Sequence, residues 1–153
     1  MSDWSSQPES RRSLATPRDG VEVIQVCWEE KLGVAVITHP SGLSLTTADE
    51  VERWRAEVYQ KLGALLRERK GKFPIVVCAD GLYIRPSVAA LYGRVVSTYR
   101  ERFASGLARY VQKPNGVGQI ITVAAMKEGY RANLFMSRAE AISHALAEAS
   151  GSK

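Results

Sequence analysis

The residues of this chain that could take part in chemistry are few, and most of them follow one apolar run. Residues 74–79 are apolar and rich in β-branched side chains, and Asp80, Gly81, Arg85 and Ser87 come directly after them. A carboxylate at the end of a buried strand can coordinate Mg²⁺ or act as a general acid or base. A serine beside an arginine at a helix start can receive an anion or carry a phosphate.

Each of these residues also has a purely structural interpretation. Acid–base chemistry at Asp80 requires a second titratable group, and no motif supplies one. The alternative is an Asp-Gly turn, in which Asp80 bonds to its own backbone next to Gly81. Ser87, which follows Pro86, can equally be an ordinary serine in the first turn of a helix.

Other catalytic and metal-binding motifs are absent from the sequence. The two histidines, His39 and His144, lie far apart, with neither HExxH nor a Cys/His cluster. Cys27 and Cys78 fall inside apolar runs without a C-x-x-C spacing, which predicts reduced, buried thiols. The glycines within residues 113–118 lack the Gly-Lys-Ser/Thr of a phosphate loop. We therefore predict no catalytic residue, no cofactor and no metal.

The composition is that of one globular domain. The chain has 153 residues, 45% hydrophobic and 24% charged. Residues 1–20 are poor in apolar side chains and predict a disordered N-terminal tail, followed by a domain at 21–149 and a short tail at 150–153. Neither a membrane-spanning run nor a signal peptide is recognisable, so a cytoplasmic protein is expected.

Positive charge is concentrated in the second half of the chain. The formal net charge is +5, yet residues 85–138 contain nine basic residues and two acidic ones, so the remainder is net negative by two. Such a bias fits an acidic protein partner, a phosphate or an anionic surface, and it also fits solvated helix faces. Basic and aromatic residues do not alternate along a strand, which disfavours nucleic acid as a partner.

The periodicity predicts an α/β domain with a mixed sheet of four to five strands and helices packed on it, in the order ββαβαβαβα. The apolar runs at 21–28 and 34–38 predict a hairpin at the sheet edge. Capping boxes at Thr47 and Ser137 open two helices. The remaining elements are a strand at 74–79, a helix at 86–105 ended by Gly106, a strand at 107–111, a segment at 119–126 that fits a helix better than a strand, and a short strand at 133–135.

This order resembles the STAS-like family, the fold of the bacterial anti-sigma-factor antagonists and of the SpoIIAA-like group. The resemblance covers about residues 21–149 and depends on the hairpin, the strand IVVCAD leading into PSVAALYGRVV, and the ending NLFMSRAEAISHAL. In the antagonists, a serine in an Asp-Ser-Ser-Gly loop is phosphorylated, which switches binding to a kinase. The corresponding residues 84–88 read IRPSV, so that motif is absent and Ser87 is the only hydroxyl there.

The resemblance implies a non-enzymatic regulatory module in bacterial signalling, with a partner docking near the loop between the third strand and second helix. The expected partner is a protein with an acidic surface or a regulatory kinase, and the oligomeric state is open. The alternative is a small-molecule binder that holds a nucleotide, an anion or a lipid in the same crevice. The candidate residues for docking or phosphorylation are Asp80, Gly81, Arg85, Ser87 and Arg94.

Overall fold

Five strands form the main sheet of the protein, and helices cover both of its faces. A computed structural model describes residues 24–40, 42–112 and 133–151. The elements along the chain are β1 (Gln25–Glu29), β2 (Val34–Thr38), β3 (Leu43–Leu45), α1 (Ala48–Arg69), β4 (Phe73–Cys78), β5 (Leu82–Ile84), a 3-10 turn (Pro86–Val88), α2 (Ala89–Phe103), β6 (Ala104–Tyr110), β7 (Leu134–Phe135) and α3 (Arg138–Ala149).

The strand order in the main sheet is β1-β2-β4-β6-β7, which confirms the predicted α/β class with a mixed sheet. β1 and β2 form the predicted antiparallel hairpin, and β2, β4, β6 and β7 are parallel. Because parallel strands require crossovers, α1 and α2 return the chain between them. The predicted segment at 119–126 and the predicted tail at 1–20 lie outside the described residues, and the domain boundaries stay a prediction.

Alternating side chains divide the core into two layers. Ile37, Ile75 and Val77 belong to the larger cluster, which contains the buried faces of α1 and α2. Val36 and Val76 point to the opposite face and join the smaller cluster beneath α3. The central strands are therefore apolar on both faces, as their unbroken apolar runs predict.

The predicted capping box begins α1 at Thr47, and Ser137 caps the start of α3 with its side chain, without the reciprocal bond of a capping box. Glu50 N–H donates to Thr47 Oγ1 at 3.2 Å, and Glu50 Oε1 accepts from the backbone N–H groups of Thr46 and Thr47. Ser137 Oγ accepts from Glu140 N–H at 3.1 Å at the start of α3. These bonds satisfy backbone donors that have no partner inside a helix.

The α1 cap should make part of the stability dependent on pH. The hydrogen bond from the Thr46 hydroxyl, followed by that from its backbone N–H, holds the pKa of Glu50 below its ordinary value of 4.5. The contribution of this carboxylate is therefore complete above about pH 4.5 and is lost as the pH falls through the lower folded-state pKa. Urea unfolding of Glu50→Gln should show a shallower acid limb than the wild type. Glu68→Gln, which removes an exposed carboxylate near the other end of the same helix, should retain the wild-type limb, and equal limbs in all three proteins would contradict the prediction.

One predicted helix end was wrong. Gly106 does not end α2, because the helix stops at Phe103 and Gly106 lies inside β6. At the end of α1, Lys70 takes the left-handed conformation, with φ 59°, and the N–H groups of Lys70 and Gly71 both donate to Leu66 O.

Candidate functional site

The carboxyl ends of β2, β4 and β6 lie along one edge of the sheet, because these strands are parallel. His39, Asp80 and Gln112 follow the three strands at this edge. The N-termini of the helices that follow parallel strands are at the same edge, which is where open α/β sheets bind ligands. The segment at 80–87 therefore begins at this edge.

On the α1–α2 side, a small second sheet closes this edge. β3 and β5 pair in parallel, and their inward side chains Leu45, Leu82 and Ile84 are buried in the same cluster as Ile37 and Val77. Apolar side chains thus fill space that a ligand occupies in many α/β proteins. The sequence analysis missed both strands, since each is only three residues long.

Gly81 positions this second sheet. Its φ is +80°, a left-handed conformation that favours glycine, and its carbonyl accepts from Leu43 N–H at 2.9 Å. The turn at Gly81 lies close to Gly42, so a Cβ added at Gly81 would be only 3.4 Å from Gly42 Cα. The predicted turn at Gly81 is present: it connects β4 to β5, and its carbonyl holds the start of β3 beside β5.

Asp80 connects the ends of two neighbouring strands. Its carboxylate accepts from Gln112 N–H, 3.0 Å from Oδ1 and 3.3 Å from Oδ2, and the Cys78 thiol is 3.7 Å from Oδ2. The bond from Gln112 N–H crosses from the end of β4 to the end of β6, a contact that the sequence analysis did not predict. A carboxylate that accepts a backbone N–H stabilises this edge directly.

Removing this carboxylate should loosen the edge. Asp80→Ala is expected to lower the free energy of unfolding by about 1–3 kcal/mol, because it leaves the Gln112 N–H without its charged acceptor. Asp80→Asn should cost less, since the amide oxygen can still accept that bond. Denaturant unfolding of both variants measures the difference, and equal stability of Asp80→Ala and wild type would contradict the role assigned to Asp80.

The other predicted site residues lie on the surface where α2 begins. Arg85 N–H donates to Leu45 O at 2.9 Å, so its backbone is held by β3 while its side chain is exposed. Ser87 is exposed within the 3-10 turn, and Arg94 is exposed on α2.

Tyr83, which the sequence analysis missed, is 50% exposed between buried neighbours. The alternation of Leu82, Tyr83 and Ile84 is the signal that would have indicated an outward tyrosine.

His39 is buried at the same edge, although the sequence analysis assigned it only to a turn. Its side chain lies among core residues, with 5% of the residue exposed, and Nδ1 is 3.2 Å from Cys78 O. Burial lowers the pKa of His39 from 6.5 to about 4, so the ring is neutral at pH 7. A carbonyl only accepts, which places the proton on Nδ1 and leaves Nε2 as an acceptor without a partner among the described residues.

A buried arginine corrects the prediction of a basic surface at 85–138. Arg109 lies in β6 with no exposed surface, and its guanidinium donates to the Tyr92 hydroxyl. Tyr92 in turn stacks on Trp54, with ring centroids 5.1 Å apart. The sequence analysis counted Arg109 toward a surface charge, but it belongs to the core between β6 and α2.

The two cysteines also differ from the prediction of buried thiols. Cys27 is exposed on β1, and Cys78 is half-buried at the end of β4. Burial and, after it, a hydrogen bond with Cys78 raise the pKa of Tyr110 to about 12. The Cys78 thiol therefore faces a neutral hydroxyl and a carboxylate, whereas an activated thiolate requires a neighbouring cation or base.

The described residues contain no group of three or more His, Cys, Asp or Glu side chains able to hold a metal ion. One open depression of about 470 Å³ lies between β7 and α3, and none of the predicted site residues contributes to its lining, which consists of Phe135, Ala139, Glu140, Ser143 and His144. Over the described ranges, no helix combines the length and apolar character that crossing a membrane requires.

Comparisons with known proteins return no relative. No protein-family model, no curated protein and no solved structure matches this chain.

Proposed function

We propose that this chain is a non-enzymatic regulatory module of STAS-like type whose protein partner docks at the start of α2. The docking surface consists of the exposed side chains of Tyr83, Arg85, Ser87 and Arg94 and is called the α2-start surface below. The observation that supports the proposal is that these side chains project from a backbone held on both sides. Leu82 and Ile84 anchor it in the core, and Arg85 N–H bonds to β3.

The chemistry of the α2-start surface suits a protein partner. Tyrosine and arginine are the residue types that contribute most binding energy at protein interfaces, because they bury large areas and offer directional donors. Arg85 and Arg94 add two positive charges, so the complementary surface is acidic. A rigid backbone lowers the ordering cost of association.

Asp80 contributes to this proposal as a support for the edge. Its carboxylate is engaged with the Gln112 backbone, and Gly81 fixes the neighbouring turn. Ser87 is the residue through which binding would be regulated, since a phosphate added there would reverse the local charge beside Arg85. The element order β-β-α-β-α-β-β-α of the main sheet and its helices supports the STAS-like part of the proposal.

The experiment compares partner capture by wild type and by an Arg85→Glu, Ser87→Glu double variant. Affinity purification from native lysate with quantitative mass spectrometry should recover a partner whose yield falls at least about tenfold in the double variant, as expected for a loss of about 1.4 kcal/mol or more. The matched control is Lys72→Glu, Ser143→Glu, which makes the same changes at exposed positions elsewhere. Equal capture by the double variant, or no partner with wild type, would refute the proposal.

A small molecule in the same crevice is the weaker alternative. Leu45, Leu82 and Ile84 occupy that space on the α1–α2 side, and their packing gives the crevice little room there. A thermal-shift screen of nucleotides, anions and lipids tests the alternative, since a ligand at about 100 times its dissociation constant stabilises a protein by about 2.7 kcal/mol. A flat response would eliminate it.

A further inference from the structure

We propose that two copies of this chain associate through β1, which pairs with itself in antiparallel register about a two-fold axis at Cys27. β1 is the outer strand of the main sheet, and among the described residues only β2 pairs with it. This inference is independent of the proposed partner at the α2-start surface.

Within β1 itself, as the structure describes it, several of the features by which proteins prevent edge pairing are missing. The sequence of the strand, QVCWE, contains neither proline nor lysine, and its register with β2 is continuous from Gln25 to Glu29, so no bulge distorts it. A regular strand edge without a charge at its centre presents unpaired N–H and C=O groups that a second strand can satisfy. The only charge, on Glu29, is at the strand end, where Arg138 Nη2 lies 3.8 Å from its carboxylate.

The sequence of β1 is complementary to itself. Cys27 is the central residue of the five, so an antiparallel pair centred there uses the whole strand. Gln25 would then face Glu29 of the second copy, an amide opposite a carboxylate, and Val26 would face Trp28. No like charges are opposed, and apolar and polar positions match their own type, which is the pairing that stabilises antiparallel strands.

The side chains of β1 leave both the edge and one face accessible. Val26 and Trp28 pack against the larger core cluster, and Trp28 is held there by Phe73 and by Arg69, whose guanidinium lies 4.1 Å from its ring. Cys27 points to the opposite face and is exposed. Pairing of two copies would join their sheets with the α1 faces on the same side, without repacking either core.

The predicted dimer is reversible. Stable interfaces bury about 1,200–2,000 Å² in total, and one pair of five-residue strands contributes only part of that. Self-association should therefore depend on protein concentration. In the paired state the two Cys27 Cβ atoms would be about 4.5–5.5 Å apart, close to the separation that a disulfide bridges.

Sedimentation equilibrium of the full chain under reducing conditions, from about 1 μM to about 1 mM, is the first test. The mass should rise with concentration toward twice the 16.8 kDa of one chain. Cys27→Lys should weaken the dimer at least tenfold, because two ammonium groups would face each other at the axis. Thr98→Lys, which adds the same charge at an exposed position of α2, and Cys27→Ser should both leave it unchanged.

Crosslinking tests the register without the lysine variant. The chain has two cysteines, so Cys78→Ser retains only Cys27. Diamide should convert this variant to a disulfide-linked dimer, as two thiols give up two protons and two electrons to the reagent's N=N bond. Cys27→Ser should remain uncrosslinked. A monomer at every concentration would overturn the proposal, and this is also the result expected if residues 1–23 of the same chain cover β1. A dimer that Cys27→Lys does not weaken would overturn it as well, as would a dimer that forms no Cys27 crosslink.

Discussion

Replacing Gly106 with alanine is expected to lower the free energy of unfolding by about 3 kcal/mol, near the upper end of overpacking substitutions. Gly106 lies in β6 directly beneath α3, and an added Cβ would be 2.2 Å from Ala145 O and 3.0 Å from Ala149 N. Both atoms belong to the backbone of the helix, so no side chain can rotate away. α3 would have to move off the sheet, which would also strain the bond from Leu107 N–H to Glu148 Oε1.

Gly63→Ala is the matched control for this prediction. A Cβ at Gly63 meets only the Arg67 guanidinium, at 3.7 Å, and that side chain can move. Because alanine is the better helix former, this substitution in the interior of α1 should raise stability by about 0.5–1 kcal/mol. Urea unfolding of both variants measures the two opposite shifts. A neutral result for Gly106→Ala would mean that α3 does not pack on β6 at this distance.

Acidification should destabilise the protein through His39 well before most carboxylates titrate. The ring has a pKa of about 4 when folded and 6.5 ordinarily, so the unfolded chain binds a proton that the folded protein excludes. Stability is therefore full above about pH 6.5 and decreases as the pH falls toward the folded-state pKa. The expected loss is about 2 kcal/mol between about pH 8 and pH 5, out of a total of about 3 kcal/mol.

His39→Asn separates this effect from the other titrating groups. An asparagine amide can donate to Cys78 O as Nδ1 does, but it does not titrate, so the variant should lose the decrease between about pH 6.5 and pH 5. The control is His144→Gln, which removes the only other histidine, a partly exposed residue of α3. Chemical unfolding across this pH range measures the free energy of unfolding of each protein. A wild-type pH profile in His39→Asn would contradict the burial of the His39 ring.

Much of the fold follows from local features of the sequence. Thr47 and Ser137 cap their helices because their hydroxyls bond to nearby backbone groups, and such bonds depend on spacing of three residues alone. The unbroken apolar run of β4 predicts a strand buried on both faces. The hairpin β1–β2 follows from two short β-rich runs and the intervening loop. The α/β class and the position of the edge at 80–87 could therefore be predicted.

The roles of individual residues at that edge could not be predicted, because they depend on contacts between distant parts of the chain. Asp80 bonds to Gln112, which is 32 residues away. β3 and β5 are too short to show periodicity, and each exists because the other pairs with it. Tyr83 is exposed only because that pairing turns Leu82 and Ile84 inward.

The sequence by itself determined the class of the fold and the residues at which its capped helices begin, because capping and periodicity operate within a few residues. The tertiary structure decided which polar groups are buried and which are exposed. The packing of the layers places His39 and Arg109 in the core and leaves Cys27 exposed on the surface. Gly106 changed from a helix end to the point where α3 touches the sheet. Burial depends on how the sheet and helices pack against one another, so it does not follow from any single segment of the sequence.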